Sequence, residues 1–438
     1  MTDENKKPSM AINYNDCGFE TLAIHAGASV DPTTGARSTP IHPSTAYVFN
    51  DPDHAAELFN LQTFGFIYSR MTNPTVSVFE ERMAALEGGR AAVASSSGHS
   101  VQFLTAATLL EPGDNFIASK HLYGGSITQF SMSFKKLGWN CCFVDMHTPD
   151  LINKAITSKT KFIFIEALAN PGGVVLDIQK IAAIAKSHKI PLIVDNTLAT
   201  PYLLKPLEWG ADIVIHSATK FIGGHGNAMA GVVVEGGTFD WFESGKYPGL
   251  TLPEPAYHGL NFAETFGSFG FSMKLRAVAL RDYGPCLSAT SAWNILQGIE
   301  TLPLRMDRHC SNALSVAKWL EIHPAVNWVS YGGLEKSPYK SLVNKYLPKG
   351  AGAVFTFGLK GGFDAGIKLV KNVNLFSHLA NIGDTRSLII HPASTTHRQL
   401  SKQQQVSAGA APDVVRLSVG IETVDDIIND LDKAMYNL

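Results

Sequence analysis

The chain has 438 residues, long for one core, so two packed domains are expected. Hydrophobic residues at 45% and charged residues at 17% fit a globular protein with much buried or interface surface. The formal net charge of −2 gives no support for a nucleic acid or an anionic membrane as partner.

From the N-terminus, Met1 to Met10 is polar and mixed in charge, without the apolar core of a secretion signal. Residues 1–70 read as an extended arm of loops and short helices. No stretch approaches the roughly 20 apolar residues of a membrane span. The five cysteines (Cys17, Cys141, Cys142, Cys286, Cys310) show no metal-like spacing, and their odd count suggests a reducing compartment, here the cytoplasm. His391 and His397 are too far apart for a single-turn pair, so no metal is expected.

Residues 71–265 alternate apolar strands with helical patterns, which predicts a mostly parallel sheet with helices on both faces. Ala91 to Ser95 reads as a strand. Ser96, Ser97, Gly98, His99 and Ser100 then turn into an apolar helical stretch, Val101 to Leu110. Such a turn offers free N–H groups and the positive end of a helix dipole to an anion, or is simply an N-cap. Asn115 to Ser119 is a second strand, followed by Tyr123, which either stacks on a flat ligand or is a half-buried turn residue. Cys141 and Cys142 lie in a strand-like run and are expected in the core. Asp177 to His188 is a helix with Ile178, Ile181, Ala182 and Ala185 on one face.

Two further runs carry chemistry. Pro191 to Thr197 is apolar and ends in Asp195, an acid that is costly at a buried strand end unless paired. Its other reading is a cap or turn former. Asp212 to Phe221 is a β-branched strand that turns polar at Ser217 and Thr219 and reaches Lys220. Strand ends are where open α/β sheets bind ligands, and a partly desolvated lysine there can form a Schiff base. The alternative is a surface lysine past a strand. Pyridoxal phosphate (PLP) enzymes pair such a lysine with an acid on the ring nitrogen. The rival class is a cofactor-free α/β protein that binds a nucleotide or anion.

Gly236 to Phe271 is rich in Gly, Pro and Phe and reads as a functional lid or a subunit contact. Residues 266–438 change pattern. Helices are predicted at Ala289–Gln297, Asp307–Leu320, Phe363–Lys371 and Val424–Tyr436, with strands at Val326–Tyr331 and Ala353–Leu359, an α+β second domain. Lys402 to Gln405 reads as a polar loop.

The segment His216-Ser217-Ala218-Thr219-Lys220-Phe221, followed by Gly223-Gly224-His225, resembles the signature of the Cys/Met-metabolism PLP-dependent transferases and lyases. The likeness runs from about Thr21 to the C-terminus. It implies the fold type I, aspartate-aminotransferase-like architecture: α/β, a mostly parallel sheet and a smaller C-terminal domain. It implies that Lys220 carries PLP as a Schiff base, that Asp195 pairs with the ring nitrogen and that Tyr123 stacks on the ring. Ser97, Gly98, His99, Ser217 and Thr219 would hold the phosphate, and Asn170 would lie near the ring's phenolic oxygen. Tyr68 and Arg70, in Tyr68-Ser69-Arg70, match a motif that crosses into the neighbouring subunit, so the site would be shared. Arg416 matches the arginine that clamps the substrate carboxylate, in keeping with guanidinium geometry.

Asn381-Ile382-Gly383-Asp384, Ser387-Leu388 and His391 to His397 resemble the O-acetylhomoserine sulfhydrylase branch. Related γ-lyases commonly have serine at Asn381 and methionine at Thr395. Leu168 and His99 depart from the family pattern, which more often shows proline or isoleucine and glutamine or methionine. The resemblance implies γ-replacement of an O-acyl homoserine by a sulfur donor, with Lys220 as base and acid, assisted by Tyr68 or Tyr123. Asn381 and Tyr68 would meet the substrate. The donor is free sulfide, a thiol, cysteine or the thiocarboxylate of a sulfur-carrier protein. Cystathionine synthesis and γ-elimination are the alternatives, and the assembly implied is a homotetramer.

Overall fold

The computed structural model describes residues 14–170, 173–396, 398–399, 402–407 and 409–436. The readings made for Met1–Met10, Pro171 and His397 lie outside the described residues. Twelve strands are present among the described residues: β1 Ala91–Ser95, β2 Asn115–Ser119, β3 Asn140–Val144, β4 Thr160–Glu166, β5 Leu192–Asp195, β6 Ile213–His216, β7 Gly231–Glu235, β8 Val326–Ser330, β9 Val354–Leu359, β10 Ser377–His378, β11 Leu388–Ile390 and β12 Val414–Ser418.

The first seven form one sheet in the order β1-β7-β6-β5-β4-β2-β3. β3, β2, β4, β5 and β6 run parallel, and β7 is antiparallel to both β6 and β1. The mostly parallel α/β sheet expected from sequence is therefore present. Its strands are apolar on both faces because helices cover both. Alternate residues divide cleanly: Ile163, Ile165, Leu192, Val194 and Val214 enter one core, while Phe162, Phe164, Ile193, Ile213 and Ile215 enter the other. Five parallel neighbours put the C-terminal ends of β2, β4, β5 and β6 along one edge, which is where the polar residues follow.

The second sheet has the order β10-β11-β12-β9-β8 and is antiparallel except for β10–β11. Of helices Ala289–Glu300, Leu302–Ile322, Gly362–Asn372 and Val424–Met435, the last three accompany it, while the first packs on helix Pro74–Glu87. Helix Leu302–Ile322 starts five residues before the predicted Asp307. Pro303 sits in its first turn, where a missing N–H costs nothing. The segment Gly270–Tyr283 still packs on the first sheet, through Phe271, Leu275 and Leu280.

Three expectations are corrected. Cys142 is exposed and Cys141 half-buried, because β3 is the outermost strand of its sheet and one face lacks cover. Lys402–Ser407 is a helix rather than a loop, and its Gln405 side chain is buried and donates to the Ala393 carbonyl at 3.2 Å. Of the two readings for segment 236–271, a lid or a subunit contact, the lid is the one corrected. Trp241, Tyr247, Leu250 and Phe262 are buried, and the Tyr247 hydroxyl donates to the carbonyl of Lys161, at the start of β4. That is the opposite end of the strand from Glu166, where the site lies. Among the described residues, no helix is long and apolar enough to cross a membrane, and no group of three His, Cys, Asp or Glu is placed to hold a metal ion.

Candidate active site

Lys220 lies four residues beyond β6, in a turn that its own backbone closes. Its N–H donates to the Ser217 carbonyl at 3.1 Å, and Gly224 N–H returns to the Lys220 carbonyl at 2.7 Å. Arg305, buried in helix Leu302–Ile322, grips the next residues. Its guanidinium donates to the carbonyls of Phe221 (2.7 Å), Ile222 (3.1 Å) and Gly298 (2.7 Å). Gly383 backs the same turn: a Cβ there would fall 2.6 Å from Phe221 N. The lysine is thus fixed at its backbone. Nζ donates to Asn381 Oδ1 at 2.6 Å. Burial, and then the charge of Arg416, hold its pKa below the usual lysine range.

Asp195 ends β5. Its Oδ1 accepts from Thr197 N (3.0 Å) and Thr197 Oγ1 (2.5 Å), and Oδ2 accepts from Gln102 Nε2 (3.3 Å). Thr197 Oγ1 in turn accepts from Ser217 N at 2.8 Å, which ties the ends of β5 and β6 together. Burial dominates and raises the carboxyl's pKa although its hydrogen bonds pull it down. Its hydrogen-bond partners are neutral, so a cationic nitrogen is the complement this carboxylate is suited to hold. Glu166, the register partner of Asp195 at the end of β4, is buried beside it. Burial and the Asp195 charge raise its pKa well above the ordinary value.

The turn after β1 opens helix Gly98–Leu109 with a capping box. Ser97 Oγ accepts from Ser100 N (3.1 Å) and Ser100 Oγ from Ser97 N (2.9 Å). Gly98 is required by close approach: a Cβ would lie 2.7 Å from Ser217 Cβ. The remaining N–H groups of the first turn face the same space as Ser217 and Thr219, an arrangement suited to an anion. Thr219 Oγ1 is already 3.0 Å from Ala230 N and 3.2 Å from Ala230 O. Tyr123 is exposed at 47%, with its ring edge-on to His99 (5.9 Å, 71°).

Ser97, Gly98, His99, Tyr123, Asn170, Asp195, Ser217, Thr219, Lys220, Asn381 and Arg416 all line one cavity of about 260 Å³. Arg416, on β12, is held from both sides: Nη1 donates to Asn170 Oδ1 and Nη2 to the Asn381 carbonyl, each at 3.2 Å. Burial lowers its pKa to about 10. Tyr68 and Arg70 are not among the lining residues. They pair with each other instead, the guanidinium 5.4 Å from the ring centre. A larger cavity of about 800 Å³ lies under the arm, between Phe59–Thr72 and Tyr257–Arg281. The Arg276–Glu80 ion pair, at 2.8 Å, lies in its wall, and Lys220 is not among its lining residues.

Gln102, Glu166 and Arg305 were not singled out from the sequence. Glu166 carries the same signal as Asp195, an acid ending an apolar strand. Gln102 is a polar residue within an apolar helix, and Arg305 a cation on a buried helix face. An amine, a buried acid awaiting a cation, an open face at Tyr123 and an anion-ready helix start fit a phosphorylated pyridine aldehyde. The chemistry of the donor set is that of PLP.

Comparison with known proteins agrees. Residues 20–436 match the family model described as Cys/Met metabolism PLP-dependent enzyme. The chain is 48% identical over 439 residues to the O-acetyl-L-homoserine sulfhydrylase of Leptospira meyeri, covering 98% of each. It is 48% identical over 419 residues to the homocysteine synthase of Schizosaccharomyces pombe, covering 95% of this chain and 98% of that one. A crystal structure of a putative O-acetylhomoserine (thiol)-lyase from Campylobacter jejuni superposes with a TM-score of 0.93 at 40% identity, over 96% of this chain and all of the other. That structure carries a pyridoxyl-lysine phosphate. With a matching fold and a family model spanning nearly the whole sequence, the chain belongs to the Cys/Met metabolism PLP-dependent enzyme family.

Proposed function

We propose that this enzyme replaces the γ-acetoxy group of O-acetyl-L-homoserine with sulfur from sulfide, giving L-homocysteine and acetate. The observation that carries the reading is the half-buried Lys220 amine sharing one small cavity with the carboxylate of Asp195 and the guanidinium of Arg416. Relatives named for this reaction, at 48% identity over nearly the full length, support the sulfhydrylase reading over cystathionine synthesis or γ-elimination.

The residue roles proposed rest on that arrangement. Asp195 would hold the ring nitrogen and keep it protonated. The first turn of helix Gly98–Leu109, with Ser217 and Thr219, would hold the phosphate, and Tyr123 would cover the ring face. Arg416 binds the substrate carboxylate, braced by Asn170 and Asn381. When bound, PLP supplies a carbonyl for the amine and an electron sink that acidifies the substrate's Cα–H. Lys220 Nζ, depressed below its ordinary pKa, is free to take that proton and return it. The Cγ–O bond breaks with the electron pair leaving on acetate, and sulfide sulfur forms the new bond to Cγ.

Tyr68 and Arg70 are assigned to the cavity of a neighbouring subunit, since in their own chain they stand apart from it. This makes the functional unit a dimer that shares sites, and two such dimers form the homotetramer. The arm and residues 256–258, which face each other across the larger cavity, are the contact surface proposed for it. We divide the chain into the arm (1–70), a PLP-binding domain that extends to Tyr283 because Gly270–Tyr283 packs on the first sheet, and a C-terminal domain. A cytoplasmic location fits an odd number of cysteines without a disulfide framework. Free sulfide is the donor proposed, with a sulfur-carrier thiocarboxylate as the alternative.

The test is a steady-state assay of O-acetyl-L-homoserine with sulfide against O-succinyl-L-homoserine with cysteine, following homocysteine, cystathionine and 2-oxobutanoate separately. Homocysteine from the first pair, abolished in Lys220→Ala, is expected. Cystathionine or 2-oxobutanoate as the main product would overturn the assignment.

A further inference from the structure

We propose that Glu166 is a positioning residue that locks the ring-covering loop at Tyr123 and the carboxylate clamp at Asn170–Arg416 into one register. The inference deepens the reading above and rests on it. Glu166 Oε1 accepts from Tyr123 N at 2.6 Å, and Oε2 accepts from Asn170 N at 3.2 Å. One carboxylate therefore fastens two loops that follow different strands, β2 and β4. The connection runs on around the cavity. Asn170 Oδ1 accepts from Arg416 Nη1 (3.2 Å), Arg416 Nη2 donates to the Asn381 carbonyl (3.2 Å), and Asn381 Oδ1 accepts from Lys220 Nζ (2.6 Å). Tyr123 has little else to fix it: its ring is exposed, and its backbone is tied at the N–H by Glu166 and at the carbonyl by Ile127 N.

A purely structural account of Glu166 fits poorly. The residue is 4% exposed and stands in register beside Asp195, a second carboxylate. Two buried acids side by side repel, and burial penalises each charged form. A neutral side chain would fasten a strand end at less cost. Groups that burden stability in this way collect where a ligand repays them. Glu166 holds neither of the two loops by packing. Glu166 holds the two loops by hydrogen bonds to their backbone N–H groups, which fix direction as well as distance.

Glu166→Gln tests this, since it keeps shape but turns one acceptor into an NH₂ that faces a backbone N–H. The holoenzyme is compared with wild type for KM and kcat toward O-acetyl-L-homoserine, for the visible circular dichroism of bound PLP, and for PLP affinity on reconstitution of the apoprotein. Expected are a KM raised about ten- to hundredfold, a smaller fall in kcat, a weakened dichroic band and PLP binding weakened about tenfold, the loss expected when a buried backbone N–H is left without its acceptor. Glu166→Asp, which keeps both carboxyl oxygens but reaches only one loop, is expected to lie between, and it carries the test if the glutamine variant does not fold. An unchanged KM and dichroic band, even alongside a lowered melting temperature, would show a merely structural role and overturn the proposal. Failure of the wild-type protein to bind PLP or use O-acetyl-L-homoserine would strike the functional reading itself, so the two failures are distinguishable.

Discussion

Arg416 is braced by Asn170 and Asn381 before any substrate arrives, so Arg416→Ala removes a preorganised clamp rather than a wandering side chain. Burial lowers its pKa only to about 10, so the guanidinium is still charged at pH 8. A hydrogen bond to an ionised partner is worth about 1.5–3 kcal/mol, and each 1.4 kcal/mol is a factor of ten. The KM for O-acetyl-L-homoserine should therefore rise roughly 12- to 150-fold. Arg416→Lys keeps a charge but loses the planar fork, so its KM should fall between the two. A second effect follows from the field of the arginine. Lys220 is depressed first by burial and then by Arg416, so removing Arg416 lets the amine's pKa move back up toward 10.5. More of the amine is then protonated at a given pH near 8–9. Reconstitution of the apoprotein with PLP, followed by visible absorbance, should slow at fixed pH, and its rate profile should shift to higher pH. An unchanged KM together with an unshifted profile would refute the assignment of Arg416 and the electrostatic link to Lys220.

Gly98→Ala should weaken PLP binding about 5- to 140-fold, measured by reconstitution, because its Cβ would sit 2.7 Å from Ser217 Cβ and overpacking costs about 1–3 kcal/mol. Arg305→Met should lower stability by about 3–5 kcal/mol in urea unfolding, since it strands the buried carbonyls of Phe221, Ile222 and Gly298. His309 is fully buried, with Nδ1 2.7 Å from the Val419 carbonyl, and burial pushes its pKa from 6.5 down to about 4. The unfolded chain binds the extra proton first, so stability should fall as pH drops from 6.5 to 4, by about 3 kcal/mol in all. His309→Asn should flatten that slope in unfolding curves taken across the window, and an undiminished slope would assign it to other groups.

The two residues at the centre of the site were legible for a simple reason. Lys220 and Asp195 each follow a short apolar strand, and a polar group at such an end is either bound to something or unfavourable. Gly98 was legible as part of a Ser/Gly turn opening a helix. Glu166 carried the same mark as Asp195, yet its task is set by two backbone N–H groups, one from the loop after β2 and one four residues on in its own chain. Gln102 and Arg305 look like ordinary helix residues until the partner strand or turn is in place. Cys142 read as core because it lies in a strand-like run, but its exposure depends on being last in the sheet. Residues 236–271 read as a lid or a contact because composition reveals packing need without direction. Their aromatic rings found cover at the far end of β4.

The sequence by itself determined the apolar strands, the helices between them and the polar turns that end them. Periodicity, turn chemistry and helix capping act over a few residues, so they are written locally. Only the tertiary structure decided which strand lies beside which, and that β7 enters between β1 and β6 in the antiparallel sense. It also decided that Lys220 meets Asn381 across 161 positions and that Arg416 meets Asn170 across 246. Such contacts depend on how two cores close against each other, and the balance of burial, repulsion and hydrogen bonding that places them exists only once the chain has folded.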